Sequence, residues 1–141
     1  MPAVQVLLLA TLTDSYGAPL AEYYHFPGNA LLYIRWHGQL TASAVIRGAT
    51  TAVQLRRIHA FRRVLNDKRD TAGDWSEALP WLQYEWLPQA VAAGLHAMAY
   101  ILSPDLHAQL VSQQFLEAVR NQLQVALFTS EAEARRWLLA R

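Results

Sequence analysis

The stretch from Phe61 to Trp75, FRRVLNDKRDTAGDW, decides the fold. Its apolar start, Phe61 to Leu65, predicts a buried central strand of a sheet. The polar residues 66–73 that follow predict a loop, and Asp74 is placed to cap the helix after it. In an α/β fold, ligands and partners gather where strands lead into helices, so a working site is first expected in this loop.

Elements predicted on either side of this stretch define the fold class. The N-terminal segment Gln5–Thr13 is rich in Val, Leu and Thr and predicts a strand. The runs Glu22–Phe26 and Ala30–His37 flank the turn formers Pro27-Gly28-Asn29 and predict an antiparallel hairpin. Helices then alternate with further strands, which implies right-handed crossovers and parallel pairing. The expected class is therefore α/β (α+β-like), with a mixed sheet.

Two of the predicted helices contain residues that disfavour a helix interior. Thr41 is placed to cap a helix that is expected to run to about Ala60. Gly48 lies inside this helix, where glycine costs about 1 kcal/mol relative to alanine. We expect it to allow a close approach of the helix backbone to the sheet. Pro80 and Pro88 interrupt the helix after the central strand, because proline beyond a first turn removes a hydrogen bond. That helix should be bent or built in two pieces.

Composition excludes several classes of function. The formal net charge is +1, from 12 basic and 11 acidic residues spread along the chain, so we expect no attraction to nucleic acid. The absence of cysteine removes disulfides and thiolate chemistry and fits a cytoplasmic protein. The apolar run Val4 to Leu12 is far shorter than the roughly twenty residues that cross a bilayer, so no membrane insertion is expected.

No set of residues predicts an enzyme, a metal site or a bound cofactor. The five histidines lack a metal-binding spacing, and the chain has neither a GxGxxG motif nor a P-loop. Ser103 is better explained as a helix N-cap than as a nucleophile. Asp67, Asp70 and Asp74 could offer oxygen ligands to a hard cation, but basic residues lie between them as charge partners.

Six short segments, in this order and spacing, carry a family resemblance: Tyr33–Gly38, Val64–Arg69, Trp81–Leu82, Glu85–Pro88, Ala93–Leu95 and Glu133–Leu138. They resemble the STAS domain (sulfate-transporter and anti-sigma-factor-antagonist type). More narrowly, they resemble the small bacterial SpoIIAA-like proteins that are also described as STAS/SEC14-like. The resemblance implies a single domain over residues 1–141, a mixed four- to five-stranded sheet with helices mainly on one face, and binding rather than catalysis.

The resemblance also implies a regulatory site. In regulatory STAS proteins, a Ser or Thr within an Asp-Ser/Thr-x-Gly signature can be phosphorylated to switch partner binding. Residues 70–73, DTAG, match that signature. A phosphate at a helix start would meet free backbone N–H groups. The candidate partner-binding or switch residues are therefore Asp67, Lys68, Arg69, Asp70 and Thr71.

Three tryptophans are the candidates for contact with a ligand or partner. Trp75, Trp81 and Trp86 could line a cleft or a protein surface, or they could fill the core. We expect a non-enzymatic module that binds a protein partner or associates with itself. The SEC14 side of the resemblance leaves an alternative open, which is a carrier of a small apolar molecule or lipid in a cavity roofed by the proline-interrupted helix.

Overall fold

One mixed sheet of six strands organises the computed structural model, which describes residues 4–141. The strands are β1 (Leu7–Thr13), β2 (Pro19–Phe26), β3 (Leu31–Gln39), β4 (Arg63–Ala72), β5 (Ala97–Ile101) and β6 (Gln124–Phe128), and their order in the sheet follows their order in the chain. Strands β1 to β3 pair antiparallel, and β3 to β6 pair parallel. The α/β class and the mixed sheet are confirmed. The sheet has six strands, not the four to five that the resemblance implies, and the predicted N-terminal strand forms its antiparallel edge as β1.

Helical segments follow each strand from β3 onward. They are α1 (Ala42–Arg56), α2 (Leu79–Trp81), α3 (Leu87–Ala92), α4 (Leu106–Val119) and α5 (Glu131–Leu139), with a 3₁₀ turn at Ser76–Ala78 and a π-helical turn at Leu82–Trp86. Residues 76–92 together form one interrupted unit, here called the composite helix. Pro80 and Pro88 lie in the first turns of α2 and α3, where a missing N–H costs little. The expected interruption by proline is confirmed.

The helices cover the two faces of the sheet unequally. Helix α1, the composite helix and α4 pack on one face, because successive right-handed crossovers in one direction place their helices on the same side. The core on that face includes Trp36, Val64 and Phe115. Helix α5 packs on β4, β5 and β6 from the other side, where its Leu138 joins Leu65 of β4 in a second core. Its Arg135 also lies over the rings of Phe26 in β2 and Tyr33 in β3. Beyond these two rings, the part of this second face formed by β1, β2 and the end of β3 carries no helix of the described chain.

Strand β4 is longer than predicted. Asp67 to Thr71 belong to this strand and not to a loop, because β4 continues to pair with the end of β3 as far as Ala72. The helix that Asp74 was expected to cap begins instead as a 3₁₀ turn, and an oxygen of Asp74 accepts from the backbone N–H of Ser76 at 2.9 Å. The prediction of a polar loop opening directly into a helix was wrong at this point.

The start of α4 also differs from the prediction. Asp105, not Ser103, is the N-cap, and its carboxylate accepts from the backbone N–H of His107. Ser103 is buried, and its hydroxyl donates to the carbonyl of Thr71 at 2.6 Å. This hydroxyl therefore joins the end of β4 to the loop before α4. The predicted cap at Thr41 is confirmed, since its hydroxyl accepts from the N–H of Ala44.

Candidate functional site

Strand β4 divides the predicted site residues between the two faces of the sheet. Neighbouring side chains on a strand point to opposite faces. Lys68 therefore lies under the helices, beside Trp36, while Asp67 and Arg69 lie on the side of α5. The structure brings Asp67 and Arg69 together and separates them from Lys68. The five residues do not form the single exposed cluster expected from a loop.

Thr71, the predicted switch residue, is only 5% exposed. Its hydroxyl donates to the carbonyl of Lys68 at 2.8 Å, and its own carbonyl accepts from Ser103. The hydroxyl is thus engaged within β4 and is not presented to a kinase in this conformation. Phosphorylation of Thr71 stays a prediction, and it would require the end of β4 to open.

Lys68 is the single lysine among the 12 basic residues of the chain, and it is only 3% exposed. Its Nζ lies 3.8 Å from the ring centre of Trp75, 5.1 Å from that of Tyr100 and 5.3 Å from that of Trp36. Lysine is almost never fully buried without a charged partner. Within residues 4–141 no acidic group pairs with it, and three aromatic faces surround the amine instead.

Burial changes the protonation of this amine. Desolvation lowers the pKa of Lys68 to about 7, because the charged form loses its hydration inside the protein. Tyr100, which faces the same amine, has a pKa raised by burial and keeps its proton. Near neutral pH the amine of Lys68 therefore exists in both its charged and its neutral form.

A cavity of about 40 Å³ lies beside Lys68, between the sheet and the helices. Its lining is apolar and aromatic apart from Lys68 and Asn66. The indole N–H of Trp36 donates to the Asn66 side chain at 2.9 Å, whereas the buried indole N–H of Trp86, which also lines the cavity, has no acceptor in the described chain. A buried donor without an acceptor costs about 1–3 kcal/mol. Trp86, at the boundary of this cavity, therefore has hydrogen-bonding capacity that the described chain does not use.

This cavity is one of three along the seam between α1 and the composite helix. A second cavity of about 20 Å³ shares Ala52 and Trp86 with it, and a third of about 250 Å³ shares Trp86 and Gln89 with the second. The third reaches the surface, since its lining includes the exposed residues Thr50 and Arg57. Trp86 closes the π-helical turn, a feature found frequently at functional sites. It separates the cavity beside Lys68 from the surface.

The three predicted contact tryptophans have different surroundings. Trp75 is completely buried against Lys68, and its indole N–H also lacks an acceptor within residues 4–141. Trp86 is buried at the seam, and Trp81 is partly exposed where the third cavity opens. The sequence left open whether these tryptophans fill the core or form a contact surface, and the answer differs among the three. Trp75 is core, and the other two line the seam.

The opposite face holds a buried carboxylate. Asp67 is 1% exposed, and it accepts from the hydroxyl of Tyr33 and from Arg69, whose Nη2 and Nε lie 2.6 Å and 3.0 Å from its oxygens. Burial alone would raise the pKa of Asp67, but the hydrogen bonds from Arg69 and Tyr33 outweigh it and hold the pKa below its usual value. Burial, followed by the bond to Asp67, raises the pKa of Tyr33. Asp67 is thus ionised and fixes Arg69.

Beside this network, charged and aromatic side chains project from the uncovered part of the second face. Arg35 pairs with Asp70 at 2.6 Å, and His37 lies 2.5 Å from Glu22. The pairing of the strands places six residues here, and they are called the open face: Leu8, Glu22, Tyr24, Arg35, His37 and Asp70. Arg35 and Asp70 match in charge, and His37 contacts the Glu22 carboxylate, so the surface is polar without a strong net charge.

Comparison with protein-family models finds no match, and no curated protein matches the sequence either. The chain is defined by its fold as an α/β protein, and its resemblance to the STAS domain stays a prediction. Over residues 4–141, no helix is both long enough and apolar enough to cross a membrane. In the same part of the chain no three His, Asp or Glu side chains meet at a possible metal site. Asp67, Asp70 and Asp74 each have separate partners.

Replacing Arg69 with methionine is expected to destabilise the protein by about 2 kcal/mol at pH 7, because the Asp67 carboxylate would lose its charged donor while remaining buried. This value lies at the low end for buried pairs, since Arg69 is 41% exposed and solvent weakens the interaction.

The loss should depend on pH. Because the folded state lowers the pKa of Asp67, its contribution to stability is present above the ordinary value of about 4 and disappears as the pH falls below it. Urea unfolding at pH 7 and pH 3 measures both losses. Arg136→Met removes the same charge from an exposed position and is the control. If Arg69→Met lowered the free energy of unfolding equally at pH 7 and at pH 3, the role given to Asp67 would be contradicted.

Proposed function

We propose that the protein is a non-enzymatic binding module that associates with a second copy of itself through strand β1. The observation that carries this proposal is the exposure of an apolar edge strand. Strand β1 pairs on one side only, with β2, and Leu8 is 58% exposed. From Val4 to Thr13 the chain has no charged residue and no proline, which are the usual means of preventing strand addition at an edge.

A second copy is the partner that best complements this edge. Two β1 strands related by a two-fold axis would pair antiparallel, and each would supply both the backbone groups and the leucines that the other requires. The other edge strand, β6, has five residues, and four of them are partly covered. A net charge of +1 opposes the approach of two copies only weakly. The resemblance to STAS proteins, which bind protein partners, and a cytoplasmic location agree with this proposal.

Leu8→Lys is expected to convert a dimer into a monomer, because a charged side chain on an edge strand prevents strand addition, and two-fold pairing of β1 would bring two like charges together on neighbouring strands. Size-exclusion chromatography with light scattering at several concentrations measures the mass, which should fall from twice the 15.9 kDa of the chain to that of one chain. Ile58→Lys is the matched control, since Ile58 is 77% exposed and lies outside the sheet. A natural protein that stays monomeric at every concentration, or a control that dissociates equally, would contradict the proposal.

Binding of a small apolar molecule is a second candidate function, favoured by the three cavities at the α1 seam. The cavity beside Lys68 fits a compound of a few non-hydrogen atoms, and a lipid chain would require the composite helix to move. Native mass spectrometry with added 2-butanone should detect a one-to-one complex. A mass spectrum of the free protein alone would count against this candidate.

A further inference from the structure

We propose that Lys68 is a nucleophilic amine that forms an imine with a short-chain aldehyde or ketone bound in the cavity beside it. This inference rests on the second candidate function, the entry of a small molecule at the α1 seam. It is independent of association through β1.

The use of lysine at this position is the first support. The other eleven basic residues of the chain are all arginine, so the only side-chain primary amine of residues 1–141 is the one inside the aromatic cavity. Arginine also binds to aromatic faces and is more weakly hydrated than lysine, but it does not deprotonate and cannot act as an amine nucleophile. A position that required only a cation against Trp36, Trp75 and Tyr100 could therefore have used arginine.

The surroundings of Nζ favour a reactive amine. Among the described residues, no carboxylate pairs with Lys68, since the neighbouring Asp67 is bound to Arg69 on the other face and Asp70 is bound to Arg35. A pKa of about 7 leaves roughly half of the amine neutral at physiological pH, compared with less than about 0.1% for an ordinary lysine. Lysines that form Schiff bases are activated by desolvation of this kind.

The chemistry balances without an added oxidant or reductant. The lone pair of the neutral amine attacks the carbonyl carbon and breaks the π bond to oxygen, and the oxygen takes one of the two amine protons to give a carbinolamine. The hydroxyl group then leaves together with the second amine proton as water, and the nitrogen lone pair forms the carbon–nitrogen double bond, so one water is released for each imine formed. Tyr100 lines the same cavity, and its neutral hydroxyl is a polar donor for the oxygen.

The dimensions of the cavity set the class of compound. About 40 Å³ corresponds to roughly three water molecules, which admits a carbonyl compound of three to five non-hydrogen atoms. The apolar lining, which includes Ile34, Val45 and Met98, favours an alkyl chain over a charged substituent. Propanal and 2-butanone fit this description, whereas a charged aromatic aldehyde such as pyridoxal phosphate does not.

Reductive trapping tests the inference directly. The protein is incubated at pH 7 with propanal and sodium cyanoborohydride, and peptide mass spectrometry then measures the alkylation of Lys68 and of the N-terminal amine. We expect Lys68 in the folded protein to react at least about tenfold faster than Lys68 in urea-unfolded protein, because only the folded state lowers its pKa. Pyridoxal phosphate should not label Lys68 in the folded protein. Lys68→Arg should remove all labelling except that of the N-terminus.

A cavity-filling variant adds a second readout. Ala52 lines the first two cavities, so Ala52→Leu should slow the alkylation of Lys68 while leaving that of the N-terminus unchanged. Ala118→Leu, on the exposed side of α4, is the matched control, and circular dichroism verifies that both variants fold.

Labelling of Lys68 that is slower in the folded than in the unfolded protein would overturn the inference. If native mass spectrometry still detected bound 2-butanone in that case, the second candidate function would stand and only the imine would fail. If neither were detected, both would fail. Alkylation of Lys68 that is equally fast in Ala52→Leu would also overturn the assignment of the reaction to this cavity.

Discussion

Lys68→Met is expected to make the protein more stable than the natural sequence at pH 7 and to lose most of this advantage as the pH rises toward 10. Methionine has a similar length and fills an apolar space without a charge. The natural side chain must either hold an ammonium group in a dry aromatic cavity or give up its proton. Burying the charged amine and removing its proton both reduce the free energy of unfolding, and methionine requires neither.

The direction of the pH dependence follows from proton binding. The folded protein lowers the pKa of Lys68 to about 7, whereas an unfolded lysine has a pKa of about 10.4. Between these values the unfolded chain binds more protons than the folded chain, so the stability of the natural protein rises with pH. Below the lower value the difference between the two proteins becomes constant. Above the higher value Lys68 has lost its proton in both the folded and the unfolded state, so it no longer changes the stability with pH.

The size of the effect follows from the same two pKa values. A folded-state pKa of about 7, against about 10.4 in the unfolded chain, corresponds to about 4 to 5 kcal/mol in total. Most of the interval between these values lies between pH 7 and pH 10. We therefore expect the difference between the variant and the natural protein to change by about 3 kcal/mol over this range.

Urea unfolding of both proteins across this range measures the change. Tyrosines of the unfolded chain, with an ordinary pKa of about 10, titrate at the upper end of this range in both proteins, so their effect on stability cancels in the difference. Lys68→Arg is the matched control, because a guanidinium group stays charged, so the stability of this variant relative to Lys68→Met should not vary between pH 7 and pH 10. A difference between Lys68→Met and the natural protein that did not vary with pH would show that the amine stays charged when buried.

The parts of the fold that could be predicted from the sequence are those with local signals. The hairpin follows from the turn formers between two β-rich runs, and the cap at Thr41 follows from its position before an apolar repeat. The length of β4 could not be predicted in this way. Its polar residues have partners on β3, about 35 positions earlier in the chain, as in the pairs Tyr33–Asp67 and Arg35–Asp70.

The candidate site was predicted only in part for the same reason. Asp67, Lys68 and Arg69 were predicted to be partner-binding or switch residues on a loop, which would have exposed all three, whereas a strand places them alternately on two faces. Trp36 and Tyr100, which complete the surroundings of Lys68, lie on the strands either side of β4 and have no local signal that joins them to it. The one available signal was the count of lysines, since a single lysine in a chain rich in arginine is unusual.

Gly48 represents the opposite case, in which a single residue predicted a tertiary contact. The close approach of α1 to the sheet is confirmed, since a Cβ at position 48 would lie 2.1 Å from Cη2 and 2.7 Å from Cζ3 of Trp36. The hydroxyl of Tyr23 donates to the carbonyl of Gly48 at 2.7 Å and holds the helix at this distance. Helix α1 therefore cannot move away from the ring without losing that hydrogen bond.

Gly48→Ala is expected to destabilise the protein by about 2 kcal/mol or more, although alanine favours a helix by about 1 kcal/mol over glycine. Urea unfolding measures the loss. The control is Thr50→Ala, an exposed position on the same helix where no such contact exists, and it should be nearly neutral. The variant should also perturb the cavity, because Trp36 is one of its walls and one of the three rings around Lys68.

A double variant identifies the cause of this loss. Trp36→Leu removes the ring and should itself destabilise the protein, because it leaves a space in the core. In that background Gly48→Ala should be neutral or stabilising, since only its helix preference remains. An equal loss in both backgrounds would mean that the glycine serves something other than contact with Trp36. A coupling between the two positions would instead establish that the sheet, through this ring, sets the distance of α1 and hence the width of the seam that leads to Lys68.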